Sequence, residues 1–121
     1  MFNINTKSTQ AIGKAKEHLA HEYLKAQGLR LIARNVRYRC GELDLIMQDG
    51  KYLVFVEVRY RRSTKFGTPA ESVVWKKQQR LRRAANCYLQ QHPTNLDCRF
   101  DILAITGANS IEWLQNAFLD R

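Results

Sequence analysis

Acidic residues are scarce in this 121-residue chain: 11 Asp and Glu stand against 20 Lys and Arg, leaving a net charge of +9. In a small domain such an excess points to a polyanionic partner, most often nucleic acid. Long apolar runs are also missing. None approaches the roughly 18 residues of a membrane-spanning helix, and the N-terminus lacks the apolar core of a secretory signal. A cytoplasmic protein with no membrane partner is therefore expected. Cysteine is limited to Cys40, Cys87 and Cys98, an odd number without CxxC spacing. That argues against a disulfide scaffold and predicts reduced thiols. His18, His21 and His92 lack the ligand spacing of known zinc sites. No linker, internal repeat or low-complexity segment divides the chain, and its 45% apolar content argues against disorder. The expectation is one domain over residues 1–121, with 1–9 outside its ordered part.

The apolar periodicities predict the element order α-β-β-β-α-β-β. A first helix is expected from about Gln10 to Gln27, capped by Ser8 or Thr9 and ended by Gly28. Its apolar stripe reads Ile12, Ala15, Leu19, Tyr23 and Ala26. At about 100° per residue Glu17 falls on the flank of that stripe, beside Ala20 and Leu24. A strand over about Leu29–Tyr38 carries Arg30, Arg34 and Arg37, with Arg39 just beyond it. A second helical region is expected to start at Thr68-Pro69-Ala70-Glu71, where Thr, Pro and Glu make a strong N-terminal signal, and to run to about Gln91 with a break near Val73-Val74. Leu81, Ala84, Ala85, Tyr88 and Leu89 supply its buried side. Two further strands follow, with Leu96, Cys98, Phe100 and Ile102 alternating against Asp97, Arg99 and Asp101, then Ile111–Leu114.

Between the helices, two runs of β-forming residues flank Asp49-Gly50, a pair suited to a type I′ hairpin turn. A two-residue loop at Asp49-Gly50 sets Gln48 against Lys51, Ile46 against Leu53, Asp44 against Phe55 and Glu42 against Glu57. Because side chains alternate, Glu42, Asp44, Glu57 and Arg59 then share one face. Asp44 and Glu57 become diagonal neighbours, with Cβ atoms roughly 7 Å apart. Clustered carboxylates beside apolar residues repel one another and resist ionisation. A divalent cation relieves both costs; the alternative is a solvated face on which Arg59 pairs with Glu57.

Asp44 followed by Glu57-Val58-Arg59 on the next strand resembles the PD-(D/E)XK nuclease signature. The wider set Gly13…Glu17-x-x-Ala20, Arg34-Asn35-x-Arg37, Gly41-Glu-Leu-Asp-Leu-Ile46, Phe55-Val-Glu-Val-Arg-x-Arg61, Phe66-Gly67, Lys77-x-x-Arg80-Leu81 and Asn116-Ala117-Phe118 resembles the YraN family of small bacterial proteins, related to Holliday-junction resolvases. The resemblance implies a restriction-endonuclease-like α/β sandwich with a mixed central sheet flanked by helices. It implies a metal-dependent endonuclease acting on branched DNA, with Mg²⁺ or Mn²⁺ held by Asp44, Glu57 and the Val58 carbonyl. Glu17 matches a helix-one carboxylate that joins this set, and Lys77 a helical lysine able to reach it. Resolvases act as homodimers, since a junction has two symmetric strands to cut; the chain itself carries no interface signature.

One departure bears on catalysis. The basic residue that ends the signature is normally Lys, whereas here it is Arg59, whose guanidinium stays protonated and can only orient water or stabilise charge. This leaves a second reading, a non-catalytic nucleic-acid-binding module on the same scaffold. In either case Arg34, Arg37, Arg61, Arg62, Lys76, Lys77 and Arg80 are the expected phosphate contacts. Tyr60 and Phe66 are candidates to stack on unpaired bases or to anchor their loop.

Overall fold

The computed structural model describes residues 3–63 and 75–118, and the side chains of 11–63 and 75–118. Its elements are α1 (Asn3–Ala26), β1 (Arg30–Tyr38), β2 (Gly41–Asp49), β3 (Tyr52–Arg61), α2 (Trp75–Gln91), β4 (Asp97–Thr106) and β5 (Ser110–Leu114). The five strands form one sheet in chain order. β3 and β4 pair in parallel across the α2 crossover, and every other pair is antiparallel. The fold is thus an α/β sandwich on a mixed sheet, in the expected element order. The expected cap at Thr68–Glu71, the break near Val73-Val74 and Phe66 lie outside the described residues.

Each helix covers one face of the sheet. Leu81, Ala84, Ala85 and Tyr88 of α2 pack on Ile46, Leu53, Phe55, Phe100 and Ile102. Ala20 and Leu24 of α1 pack on Leu45, Met47, Val54, Val56, Leu103 and Ile105. Central β3 and β4 therefore bury both faces, and within them Leu53–Val56 and Ile102–Ile105 are unbroken apolar runs.

α1 departs from expectation at its start and along its stripe. It begins at Asn3, so Ser8 and Thr9 lie inside the helix, where they are only mildly unfavourable. Ile12 is 48% exposed and Ala15 and Ala26 are exposed, whereas Ala20 and Leu24 are fully buried. Among the described side chains of α1 the sheet covers those of the later turns, and small Ala20 lets the helix approach it closely. Glu17, Ala20 and Leu24 follow the i, i+3, i+7 spacing of one face, so Glu17 extends the buried stripe rather than flanking it.

The β2–β3 register also differs, by two residues. Asp49 pairs with Tyr52, Gln48 with Leu53 and Ile46 with Phe55. The turn is Gly50-Lys51, with Gly50 at φ 58° and Lys51 outside the positive-φ residues, as a glycine-first II′ turn asks. A two-residue slip keeps every side chain on its face, so the hydrophobic pattern could not distinguish the two registers. Extended one residue past its last pair, Leu45 with Val56, the observed register sets Asp44 directly opposite Glu57.

The β1–β2 turn abuts α2. A Cβ on Gly41 would lie 2.9 Å from the backbone oxygen of Arg80. Beside it, Cys40 and Cys87 bring their sulfurs to 3.8 Å, and all three cysteines are free. Among the described residues no helix is long and apolar enough to cross a membrane.

Candidate metal centre

The site lies where β1 and β2 both lose their alternation. On β1, Ala33 and Val36 pack on the same α2-side cluster although they differ in parity. On β2, Leu43 joins that cluster while Leu45 joins the α1-side one. Asn35 lies between the first pair at φ 53°, a left-handed conformation that costs most residues roughly 1–2 kcal/mol and that Asn tolerates better. Asp44 lies between the second pair. The β1–β2 register continues through both positions, from Arg34 with Leu45 to Val36 with Leu43, so the two kinks face each other.

This bend frees Asp44 to reach across to β3, where its Oδ2 accepts a 2.9 Å hydrogen bond from the Val58 amide. It also gathers carboxylates from two elements. Ligand oxygens of Glu17 on α1 and of Glu42 and Asp44 on β2 all lie within 4.8 Å of one another, each in a partly buried side chain. Burial, then the Asp44 charge, raises the Glu17 pKa, opposed by a hydrogen bond from Asn35. Asp44 is raised chiefly by burial, against the Val58 hydrogen bond.

Glu57 stands on the α2 side of this triad and shares a side-chain hydrogen bond with Asp44. Its side chain is 4% exposed, and its Oε2 is 3.5 Å from both Arg59 Nη1 and Lys77 Nζ. Burial and the Asp44 charge outweigh the two cations, and its pKa is pushed up to about 8. The Asp44–Glu57 pair thus favours holding a proton in the absence of a cation, as crowded carboxylates do.

The remaining expected residues divide. Arg37 pairs with Glu42 at 3.0 Å across the β1–β2 ladder. Arg34 donates to His21 Nδ1 at 2.9 Å. Lys77 turns inward to Glu57, while Arg61, Arg62, Lys76 and Arg80 are exposed. Asp101 is no part of the cluster. It accepts from Arg99 at 3.0 and 2.9 Å, from the Trp113 indole at 2.9 Å and from the Asn116 amide at 2.9 Å, a closed structural network. Two residues were missed as site members. Side-chain alternation puts Glu42 among the clustered carboxylates but not among the expected metal ligands, and its pairing with Arg37 across a tight turn is the available signal. Asn35 carried no signal in the alternation of β1, because a positive φ leaves no periodic trace.

All-oxygen carboxylate donors suit a hard cation such as Mg²⁺ or Mn²⁺ better than one that prefers sulfur or imidazole. The charge balance agrees, since a dication would favour the ionised carboxylates that burial, and after it mutual repulsion, disfavours at Glu17, Asp44 and Glu57.

Comparison with known proteins adds a family-level relationship. A model described as Uncharacterised protein family UPF0102 matches residues 16–105, which include Glu17, Asn35, Glu42, Asp44, Glu57 and Lys77. A UPF0102 protein of Serratia proteamaculans is 54% identical over 114 residues, covering 92% of this chain and 97% of the relative. One from Klebsiella pneumoniae is 53% identical over 109 residues, covering 88% and 84%. The UPF0102 protein YraN of Escherichia coli is 47% identical over 116 residues, covering 93% and 88%.

Proposed function

The chain belongs to the UPF0102 (YraN) family, and from that premise we propose that it is a metal-dependent endonuclease hydrolysing phosphodiester bonds in structured, branched DNA. The observation that carries the proposal is the convergence of Glu17, Glu42 and Asp44 oxygens within 4.8 Å, beside a buried Glu57 contacted by two cations. A pure nucleic-acid binder gains nothing from carboxylates turned toward phosphate. The α/β sandwich is compatible with the restriction-endonuclease-like architecture that the Asp44…Glu57-Val-Arg59 pattern resembles.

In this reading Asp44 is the central ligand, shared with Glu17 and Glu42 and, as the nuclease signature implies, with Glu57 and the Val58 carbonyl. Bound Mg²⁺ supplies Lewis-acid stabilisation of charge developing on the phosphate and acidifies attacking water. The protein's own groups do the rest. The Val58 amide fixes the Asp44 carboxylate, and Asn35 fixes Glu17. Arg59 stabilises charge or orients water without taking a proton. Lys77 brings to Glu57, from α2, the compact ammonium that the signature normally carries at the position of Arg59.

The test is a Mg²⁺ and Mn²⁺ titration with junction, flap, duplex and single-stranded DNA, with Asp44→Ala as control. Cleavage that needs both the metal and Asp44 is the expected result. Binding without cleavage of any of the four substrates overturns it and leaves the binding-module reading, which Arg59 favours.

A further inference from the structure

A chain of clefts leads away from the carboxylates to an exposed indole. The cleft of about 460 Å³ that holds Glu17 and Glu42 is also walled by Lys14 and Arg37. Arg37 and Glu42 are shared with a second cleft of about 410 Å³, which passes over the β1–β2 turn to Arg80. Arg80 is shared in turn with a third, about 220 Å³, formed by Trp75, Lys76, Gln79 and Arg83. Their shared wall residues set the three clefts end to end along one surface as a shallow furrow.

Its far end has an unusual composition. Trp75, Lys76, Gln79, Arg80 and Arg83 fall within about 140° of the α2 helical wheel, on the side away from buried Ala85 and Tyr88. α2 contains no Asp or Glu, so the only charges it brings to this face are the cations Lys76, Arg80 and Arg83. Trp75 is 68% exposed, the most exposed of the large apolar residues among those described. An aromatic ring left in water among guanidinium and ammonium groups suits a ligand that is both a polyanion and a flat π system. Every nucleotide of an unpaired strand offers both. A continuous duplex offers only the phosphates, because its bases stack on one another and must be unstacked at a cost of a few kcal/mol to reach a side chain.

We infer that Trp75 is a stacking platform for an unpaired base, and that the furrow through Arg83, Arg80 and Arg37 guides a single strand to or from the carboxylate cluster. This rests on the nuclease reading and deepens it: the substrate carries an unpaired segment beside the bond to be cut, as flaps, forks and overhanging ends do.

Binding is measured on the full chain in EDTA, where no cleavage occurs, by fluorescence anisotropy. The probes are labelled oligothymidylate, a blunt hairpin duplex and the same hairpin with a single-stranded overhang. Wild type, Trp75→Ala and Trp75→Phe are compared after thermal melts confirm that each folds. The overhang is expected to bind tighter than the blunt hairpin. Trp75→Ala is expected to weaken oligothymidylate and overhang binding by about 5- to 160-fold, the range for loss of one base–aromatic stack, with little change on the blunt hairpin. Trp75→Phe retains most of the affinity, while the quenching of indole emission by oligothymidylate is lost. Unchanged single-strand affinity in Trp75→Ala overturns the inference, as does an equal loss on all three probes. Metal-dependent cleavage with unchanged Trp75→Ala binding defeats the stacking platform alone. Selective loss in Trp75→Ala without cleavage by wild type defeats the nuclease reading alone.

Discussion

Gly41 and Arg80 are in backbone contact: the Cβ that Gly41 lacks would lie 2.9 Å from the Arg80 carbonyl oxygen. The contact joins the start of β2, which carries Glu42 and Asp44, to the second turn of α2, one turn on from Lys77. Gly41→Ala must push α2 outward, because a helix carbonyl cannot rotate away alone. The expected cost is about 1–3 kcal/mol, as for other overpacked sites, read as a lower urea midpoint at unchanged m-value.

Glu57 makes the metal-free protein sensitive to alkali. Its folded pKa of about 8 lies above the usual carboxylate value of 4.5, so the folded state binds the proton more tightly than the unfolded chain. Stability from this group is complete below about pH 4.5 and is lost as pH rises through about 8. Urea unfolding in EDTA across that range is expected to show a falling midpoint. Glu57→Gln, which keeps the neutral shape, is expected to flatten the slope over the same window.

Removing charge from Asp44 separates folding from metal binding. Asp44→Asn keeps an oxygen for the Val58 amide and relieves repulsion with Glu17, so its thermal midpoint in EDTA is expected to equal or exceed that of wild type. Millimolar Mn²⁺ is expected to raise the wild-type midpoint by mass action and to leave that of Asp44→Asn unmoved. An unmoved wild-type midpoint counts against the centre.

Asp101 answers to a different test. Asp101→Ala leaves the 9%-exposed Arg99 with Asp49 alone and strips the Trp113 indole and the Asn116 amide of their acceptor, and is expected to cost about 3 kcal/mol, the low end of the range for breaking a buried ion pair. Chemical denaturation measures the loss. Trp113 emission is expected to shift as its indole loses its acceptor.

The two cations on Glu57 are expected to differ in catalysis. Arg59→Lys preserves or raises single-turnover cleavage in saturating Mn²⁺, whereas Arg59→Ala and Lys77→Ala each lower it by about 10²-fold, as loss of a transition-state donor does. Equal rates for wild type and both alanine variants would remove these side chains from the chemistry.

The sequence made the scaffold legible and the bend only in part. Element order follows from pattern: β3 reads as a strand from its run of β-forming residues, β4 from alternation at period 2.0, and α2 as an amphipathic helix from repeats near 3.6. Asp44 and Glu57 were placed as neighbours even with the turn at the wrong pair, since a slip of two preserves the face. What escaped were departures from periodicity itself. The left-handed Asn35 and the facing kink at Asp44 bring Glu42 and Glu17 together, yet alternation assumes a regular strand. The Glu17 face was misjudged for a related reason. Hydrophobicity ranks Ile12 above Ala20, but the sheet covers Ala20 and Leu24 and leaves Ile12 exposed, so coverage and not side-chain character decides which residues are buried.

The hydrogen bond from the Val58 amide to Asp44 Oδ2 lies just past the end of the β2–β3 ladder, so a side chain accepts there in place of a strand carbonyl. One backbone resonance therefore listens directly to the charge of the carboxylate cluster. Protonation of Asp44, or its engagement by a cation, weakens the acceptor and moves the Val58 amide proton upfield, while amides paired within the ladder stay still. In a nitrogen–proton correlation spectrum this single peak can be followed through a pH or Mg²⁺ titration, giving the site an internal voltmeter that needs no substrate and no turnover.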